Sequence, residues 1–342
     1  MTTTSRTLTL FDLVEAGLQS PAICAALALI LATSIALLTS VRRSRAIGSA
    51  TDPAVTRSHA NEGRGIAVAA AAVVLAFLTE FLTRGYLVGG IALPWWRFAM
   101  PLVAAAGGLG VVAVLIARRR MPRVAAPMPP TVRRTWRSFS SASSLWFAAG
   151  ASAVLVATTI GAGAVSSRDD AGRYTLLTIP IPNAPDVPAL QFPFYGWAYG
   201  APVLVSLVPA IACLVAVLHL NSARRFQSMH TMAAESTLRR QTARDCTRLV
   251  SAVVVLTTAE AWRMIAHAGS ASSLTVGSPT GEATYETPWR FADVAAAAGW
   301  CAPFLEVAAL TLLLLLTSNG LRKSPRKSAQ TVALGHPLGS IG

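Results

Sequence analysis

A chain of 342 residues with 13% charged residues is too apolar for a soluble domain, in which about 25% of residues are charged. A net charge of +14 is typical of nucleic-acid binding, but here the arginines flank long apolar stretches. Membrane topology therefore explains the charge, and no nucleic-acid partner is expected. The four cysteines lie far apart without a CxxC or Cys/His cluster, so we predict no disulfide framework, no metal site and no cofactor.

Seven apolar stretches follow one another along the chain. Each is long enough to cross a hydrocarbon core of about 30 Å as a helix, the structure that satisfies its own backbone groups where water is absent. We therefore predict an all-α, polytopic membrane bundle that forms a single transmembrane domain over residues 1–342. The predicted spans are 21–41, 66–89, 98–117, 146–166, 199–219, 249–268 and 296–317.

The segments between these spans alternate in charge. Four of them hold 22 of the 29 basic residues and 4 acidic residues; these are 42–65, 118–145, 220–248 and the tail after 318. The four segments expected on the other side of the membrane hold 5 basic and 8 acidic residues; these are the N-terminal 20 residues and the loops 90–97, 167–198 and 269–295. Positively charged loops stay in the cytoplasm during insertion. We therefore expect an external N-terminus, a location in the plasma (inner) membrane, and a disordered basic cytoplasmic tail at 319–342.

The basic loops also predict partners on the cytoplasmic side. Clustered arginines next to a membrane attract the anionic lipids of the bilayer. The segment Asn221–Arg248 combines basic and methionine-containing faces. A solvated helical loop is the favoured interpretation of this segment, and a site for a cytoplasmic ATPase or regulatory subunit is the alternative.

Two helical hairpins have similar sequences. Pro94–Ala99 (PWWRFA) matches Pro288–Ala292 (PWRFA), and each segment opens an inward-running span. Two acid–arginine pairs precede these segments, Glu80 with Arg84 and Glu260 with Arg263. The pattern predicts a duplication of the second and third spans as the sixth and seventh, with the fourth and fifth as a diverged third copy. Chance similarity is the alternative, although parallel repeats do occur in transporters.

Five ionisable side chains lie inside the predicted spans, where a central charge costs about 2.5–3.5 kcal/mol. They are Glu80, Arg84, Glu260, Arg263 and Glu306. The first four can pair within their own helices, because residues three or four apart share a face. Self-pairing and a role in ligand binding or transport are therefore both open for them.

Glu306 differs from the other four because its own helix offers no cation within two turns. Its carboxyl group must be protonated or paired with another helix. Pro303 lies one turn away and removes a backbone hydrogen bond, and a carboxyl group beside a broken helix is typical of coupled transport sites. Glu306 is therefore the first candidate for a site, and a structural acid that holds two helices together is the alternative.

Aromatic residues concentrate at the predicted outer ends of the spans. An interfacial belt, in which amphipathic rings lie at the headgroup level, is the favoured explanation. An external site lined by aromatic residues is the alternative. Its candidate residues are Trp95, Trp96, Arg97, Tyr195, Trp197, Trp289 and Arg290.

Several function classes are disfavoured by what the sequence lacks. Seven helices with an external N-terminus resemble the heptahelical receptors and rhodopsins in outline, but the last span has no lysine for a retinal Schiff base, since Lys323 and Lys327 are in the tail. No Walker A, GxSxG or HExxH motif is present, and no loop is long enough for a soluble catalytic domain. We therefore do not expect an enzyme.

Two function classes remain. The leading hypothesis is a transporter or permease-like component for a small solute, ion or lipid, with Glu306, Glu80 and Glu260 on the pathway and Arg84 and Arg263 as counter-ions. The alternative is a non-catalytic sensory or assembly protein. Such a protein would recognise an external ligand through the aromatic outer loops and an inner partner through the basic loops.

Overall fold

A computed structural model of the protein describes residues 17, 20–45, 53–82, 94–118, 135–181, 189–224, 226, 232–270, 273–278, 281–286 and 289–322. Within these ranges, seven helices are long and apolar enough to cross a membrane, so the chain is a mostly helical, multi-pass membrane protein. The helices are α1 (Pro21–Arg45), α2 (Pro53–Leu82), α3 (Met100–Arg118), α4 (Ala142–Val165), α5 (Trp197–Ala223), α6 (Met232–Gly269) and α7 (Ala292–Arg322).

Each predicted span coincides with one of these helices, but some ends differ. Helix α2 begins at Pro53, well before the predicted start at 66, and residues 83–89 of that span lie outside the described residues. Helix α6 begins at Met232 rather than at 249, because the polar segment before the span continues as helix. Helix α7 continues to Arg322, and the remainder of the predicted tail is not described.

The expectation of an all-α chain needs correction, because five short strands connect the helices. Three form an antiparallel sheet in the order β1-β2-β3, and two form an antiparallel hairpin. The strands are β1 (Ser167–Arg168), β2 (Tyr174–Ile179), β3 (Leu190–Pro193), β4 (Ser273–Ser278) and β5 (Gly281–Glu286). Leu177 and Ile179 alternate with more exposed neighbours along β2 and are buried, which fixes the face that β2 turns towards the bundle.

Both sheets lie at the same end of the bundle. Phe194, which follows β3, packs edge to face against Trp289, which follows β5, with ring centroids 5.9 Å apart. We call this end the sheet end. The opposite end carries the described parts of the arginine-rich segments 118–145 and 220–248, namely 118, 135–145, 220–224, 226 and 232–248, and we call it the basic end.

Helix α6 is the central element of the bundle. It packs against α2, α3, α4, α5 and α7, whereas α1 packs mainly against α7. Residues 249–254 and 256–259 of α6 are buried accordingly. Because α6 is enclosed by its neighbours, polar side chains near its sheet end lie among other helices rather than in lipid.

Candidate functional site

A cavity of about 390 Å³ lies at the sheet end, between α2, α6 and α7. Its walls combine three carboxylates, two arginines and one histidine with three phenylalanine rings. The lining residues are Pro21, Phe77, Glu80, Phe81, Arg97, Phe98, Pro193, Glu260, Arg263, Met264, His267 and Glu306. A volume of this size is typical of sites for small molecules.

Helical periodicity explains why these side chains meet. On α2, Phe77, Glu80 and Phe81 are spaced three and four residues apart, so they occupy one face. On α6, Glu260, Arg263, Met264 and His267 follow the same spacing over two turns. The sequence therefore directs two polar faces towards each other.

Arg263 and Glu306 join α6 to α7 in the wall of the cavity. Arg263 donates through Nε to Oε2 of Glu306 at 2.6 Å, and through Nη2 to Sγ of Cys24 on α1 at 3.1 Å. The self-pairing considered for Glu260 with Arg263 is therefore wrong, because the guanidinium turns to α7. The two alternatives for Glu306 were protonation and pairing with another helix, and in the structure Glu306 is paired with α6.

Glu80 pairs with Arg97 across the connection between α2 and α3. Arg97 Nε lies 3.4 Å from Glu80 Oε1, and the two side chains keep 27% and 19% of their exposure. The Arg97 guanidinium also lies over the ring of Phe98, 5.3 Å from its centroid. Arg84, the counter-ion expected for Glu80, lies outside the described residues.

Glu260 lies between these two ion pairs. The charges of Arg97, Arg263, Glu80 and Glu306 all act on its carboxyl group. Its side chain is half-buried, lines the cavity and forms no hydrogen bond with any described residue. Both Glu260 oxygens are therefore left for a ligand or a proton, whereas Glu306 keeps one such oxygen, Oε1, which is buried without a hydrogen-bond partner among the described residues.

The aromatic candidates differ in burial. Tyr195 is buried and its hydroxyl lies 3.3 Å from that of Thr159, while burial raises its pKa to about 12. Trp197 packs against Gly163, and Trp289 packs against Phe194 and Phe291. Trp95 and Trp96 are exposed, as is Arg290, whose guanidinium lies over Phe291. An external ligand role stays a prediction for all seven candidate residues.

A second group of charged side chains is buried at the basic end, and the sequence interpretation missed it. Arg224 Nη1 lies 2.7 Å from Glu62 Oε1, and His59 Nδ1 lies 3.2 Å from Glu62 Oε2. Arg239 donates to the carbonyl oxygen of Arg224 at 2.8 Å and pairs with Glu235 at 3.4 Å. We call His59, Glu62, Arg224, Glu235 and Arg239 the buried ionic cluster.

The buried ionic cluster corrects the interpretation of Asn221–Arg248 as a solvated helical loop. Asn221, Arg224, Glu235 and Arg239 are each no more than 8% exposed. The four-residue spacing of Glu235 and Arg239 indicates an ion pair within one helix, but nothing in the sequence connects either residue to Glu62. The cluster ties the start of α2 to the end of α5 and the start of α6.

Comparison with known proteins does not supply a function. No protein-family model, curated protein or solved structure matches the chain. Among the described residues, no group of three histidine, cysteine or acidic side chains is placed to hold a metal ion. The cavity at the sheet end is therefore the basis for a functional proposal.

Proposed function

We propose that this protein is a plasma-membrane transporter or permease-like component, and that the cavity at the sheet end binds its small solute or ion. The observation that carries the proposal is the half-buried Glu260 carboxyl group in the cavity wall, free of hydrogen bonds from described residues and flanked by two ion pairs. A carboxyl group in this setting takes up a proton or a cation readily.

The chemistry of the walls favours a cationic partner for Glu260. Phe77 and Phe81 line the same cavity, and aromatic rings attract cations through their faces. The guanidinium groups of Arg97 and Arg263 are already held by Glu80 and Glu306. A solute with one small positive group, or a proton, therefore suits the cavity better than an anion.

The charge pattern of the loops supports an external position for the cavity. Arginine-rich segments resist translocation, so the basic end is assigned to the cytoplasm and the sheet end to the outside. The proposed pathway then begins outside at the cavity and continues along α6 towards the buried ionic cluster.

A duplication of helical hairpins is part of the proposal. Arg97 lies over Phe98 before α3, and Arg290 lies over Phe291 before α7, with 5.3 and 4.5 Å to the ring centroids. The matched PWWRFA and PWRFA segments thus share a local geometry as well as a sequence. Arg290 is exposed and has no counterpart of the Arg97–Glu80 pair among the described residues, so a duplication would have to be followed by divergence at this position.

The experiment is a current measurement on proteoliposomes adsorbed to a solid-supported membrane. Rapid concentration jumps of protons, ammonium, guanidinium and choline are compared with acetate as the anionic control. We expect a saturating current for at least one cation, and its loss in Glu260→Gln. Asp293→Asn, which removes an exposed carboxylate of the same end outside the cavity, retains the current.

A sensory protein is the second candidate, because the charged residues of the buried ionic cluster are buried and paired with one another at the basic end. A receptor needs a ligand site at one end without a path to the other. Cation-dependent stabilisation of the purified protein, lost in Glu260→Gln but without any current, would favour this candidate. The absence of both stabilisation and current with these cations would refute both candidates.

A further inference from the structure

A second concave site lies on the side of the bundle, between α4 and α5. It is a groove of about 480 Å³ whose lining is almost entirely apolar. The lining residues are Trp136, Arg137, Ala142, Leu145, Trp146, Ala148, Ala149, Ser152, Ile211, Leu214, Val215, Leu218 and Val250. Its floor is buried at Leu214, Leu218 and Val250, and Trp146 on its rim is 77% exposed.

The groove exists because α4 and α5 touch closely at one end only. Near the sheet end, Gly163 of α4 lies against the Trp197 ring, and Gly200 of α5 lies against Thr159. A methyl group at either glycine would clash with its neighbour. Towards the basic end the space between the helices opens, and α6 forms the floor through Val250.

The mouth of the groove is positively charged. Arg137 is exposed, and its guanidinium lies over the Trp136 ring, 4.7 Å from the centroid. Both residues belong to segment 118–145, which contains seven arginines and no acidic residue. Tryptophan and arginine at this level are typical of the zone where lipid headgroups meet hydrocarbon.

We propose that the groove binds one anionic phospholipid, with an acyl chain between α4 and α5 and the phosphate at Arg137. The open side of the groove faces the hydrocarbon of the bilayer, where acyl chains are the available apolar partner. The exposed Arg137 guanidinium at the mouth selects a net negative headgroup over a zwitterionic one. This inference does not depend on the function of the cavity at the sheet end.

The test is native mass spectrometry of the purified full-length protein in detergent, titrated with phosphatidylglycerol or phosphatidylcholine. We expect one saturable phosphatidylglycerol site. Arg137→Gln weakens that binding about five-fold, the effect of one basic side chain near a membrane surface. Arg168→Gln is the matched control, because Arg168 is exposed and lies over the Tyr174 ring at the sheet end.

A second pair of variants tests the acyl-chain part of the site. Ala149→Trp fills the groove from α4 and abolishes the saturable site, whereas Val154→Trp, at an exposed α4 position outside the lining, preserves it. Equal losses in Arg137→Gln and Arg168→Gln would overturn the proposal. So would full binding by Ala149→Trp, or equal binding of the two lipids.

Discussion

Arg263 on α6 and Glu306 on α7 form the shorter of the two ion pairs between described residues of the cavity, with 2.6 Å between Nε and Oε2. The pair lies where α1, α6 and α7 meet, since Arg263 also donates to Cys24. Glu306 is 1% exposed and Arg263 16%. Because the two residues pair, both charged groups can lie among packed helices. The neighbouring Glu260 carboxyl group faces the cavity.

Removal of the Arg263 guanidinium group should destabilise the bundle. Arg263→Leu leaves the Glu306 carboxylate buried without its partner, and loss of one member of a buried ion pair costs about 3–5 kcal/mol. The lower figure is expected because Arg263 is partly exposed. Thermal unfolding in detergent, followed by tryptophan fluorescence, measures the loss. Arg290→Leu, which removes an exposed arginine of the same end, is the control.

The double variant Arg263→Leu/Glu306→Leu should be more stable than Arg263→Leu, because it leaves no isolated charge in the apolar interior. A double variant as unstable as the sum of the two single variants would show that the residues act independently.

The contact between α2 and α3 gives a second stability prediction. A methyl group at Gly108 would clash with Cβ of Ala69 and lie 3.1 Å from its Cα, and overpacking of this kind costs about 1–3 kcal/mol. Gly108→Ala should therefore lower the melting temperature. Gly107→Ala adds its methyl group to open space and should be neutral or slightly stabilising, since alanine favours helix. Equal melting temperatures for the two variants would refute the close approach.

Local patterns allowed part of this structure to be predicted. Apolar length is a property of each segment, so the seven helices follow directly from the sequence. Glu80, Glu260, Arg263 and Glu306 were found as candidates because a charge is costly in an apolar span, and the structure brings all four to one cavity. Phe77 and Cys24 gave no such signal, because apolar and thiol side chains are ordinary in a span.

Ion pairs between different helices could not be predicted from the sequence. A pattern within one helix offers only partners three or four residues away, whereas Glu306 pairs with Arg263, 43 residues away. The start of α2 and the long extension of α6 were missed for the same reason. Their polar residues are accommodated by the buried ionic cluster, in which Glu62 meets Arg224.

The buried ionic cluster predicts that Arg239 cannot be replaced by lysine. Its guanidinium donates to the Arg224 carbonyl at 2.8 Å, pairs with Glu235 and lies over the Phe226 ring at 4.4 Å. An ammonium group keeps the charge but loses the planar fork that makes these contacts together. Arg239→Lys should cost about 1–3 kcal/mol, measured by thermal unfolding. Arg240→Lys, at the exposed next position, should have no effect.

The turn before β2 should be sensitive to acid. Asp169 accepts hydrogen bonds from the Ala171 and Arg173 amides at 3.0 and 2.8 Å. The Arg173 backbone bond is the main cause that holds the Asp169 pKa below its usual value, and Thr175 adds to it. The stabilisation is therefore complete above the unfolded-state pKa of about 3.9 and disappears as the pH falls through the lower folded-state pKa.

Hydrogen exchange of the turn measures this effect. Corrected for the intrinsic rate, protection of the Ala171 and Arg173 amides should be constant from neutral pH to about pH 5 and fall only in stronger acid. Asp169→Asn should reduce the protection already at neutral pH, and Asp170→Asn should not. Undiminished protection in Asp169→Asn would contradict the role of the carboxylate.

The orientation of the bundle is the last prediction. Trp95 at the sheet end is 61% exposed, and Thr135, within the arginine-rich segment 118–145 at the basic end, is also exposed. With Cys213 and Cys301 replaced by serine, because Cys24 and Cys246 are buried, a membrane-impermeant maleimide should label Trp95→Cys on intact cells. Thr135→Cys should react only after permeabilisation, because its arginine-rich neighbours stay in the cytoplasm. Labelling of Thr135→Cys on intact cells would invert the orientation and place the cavity inside.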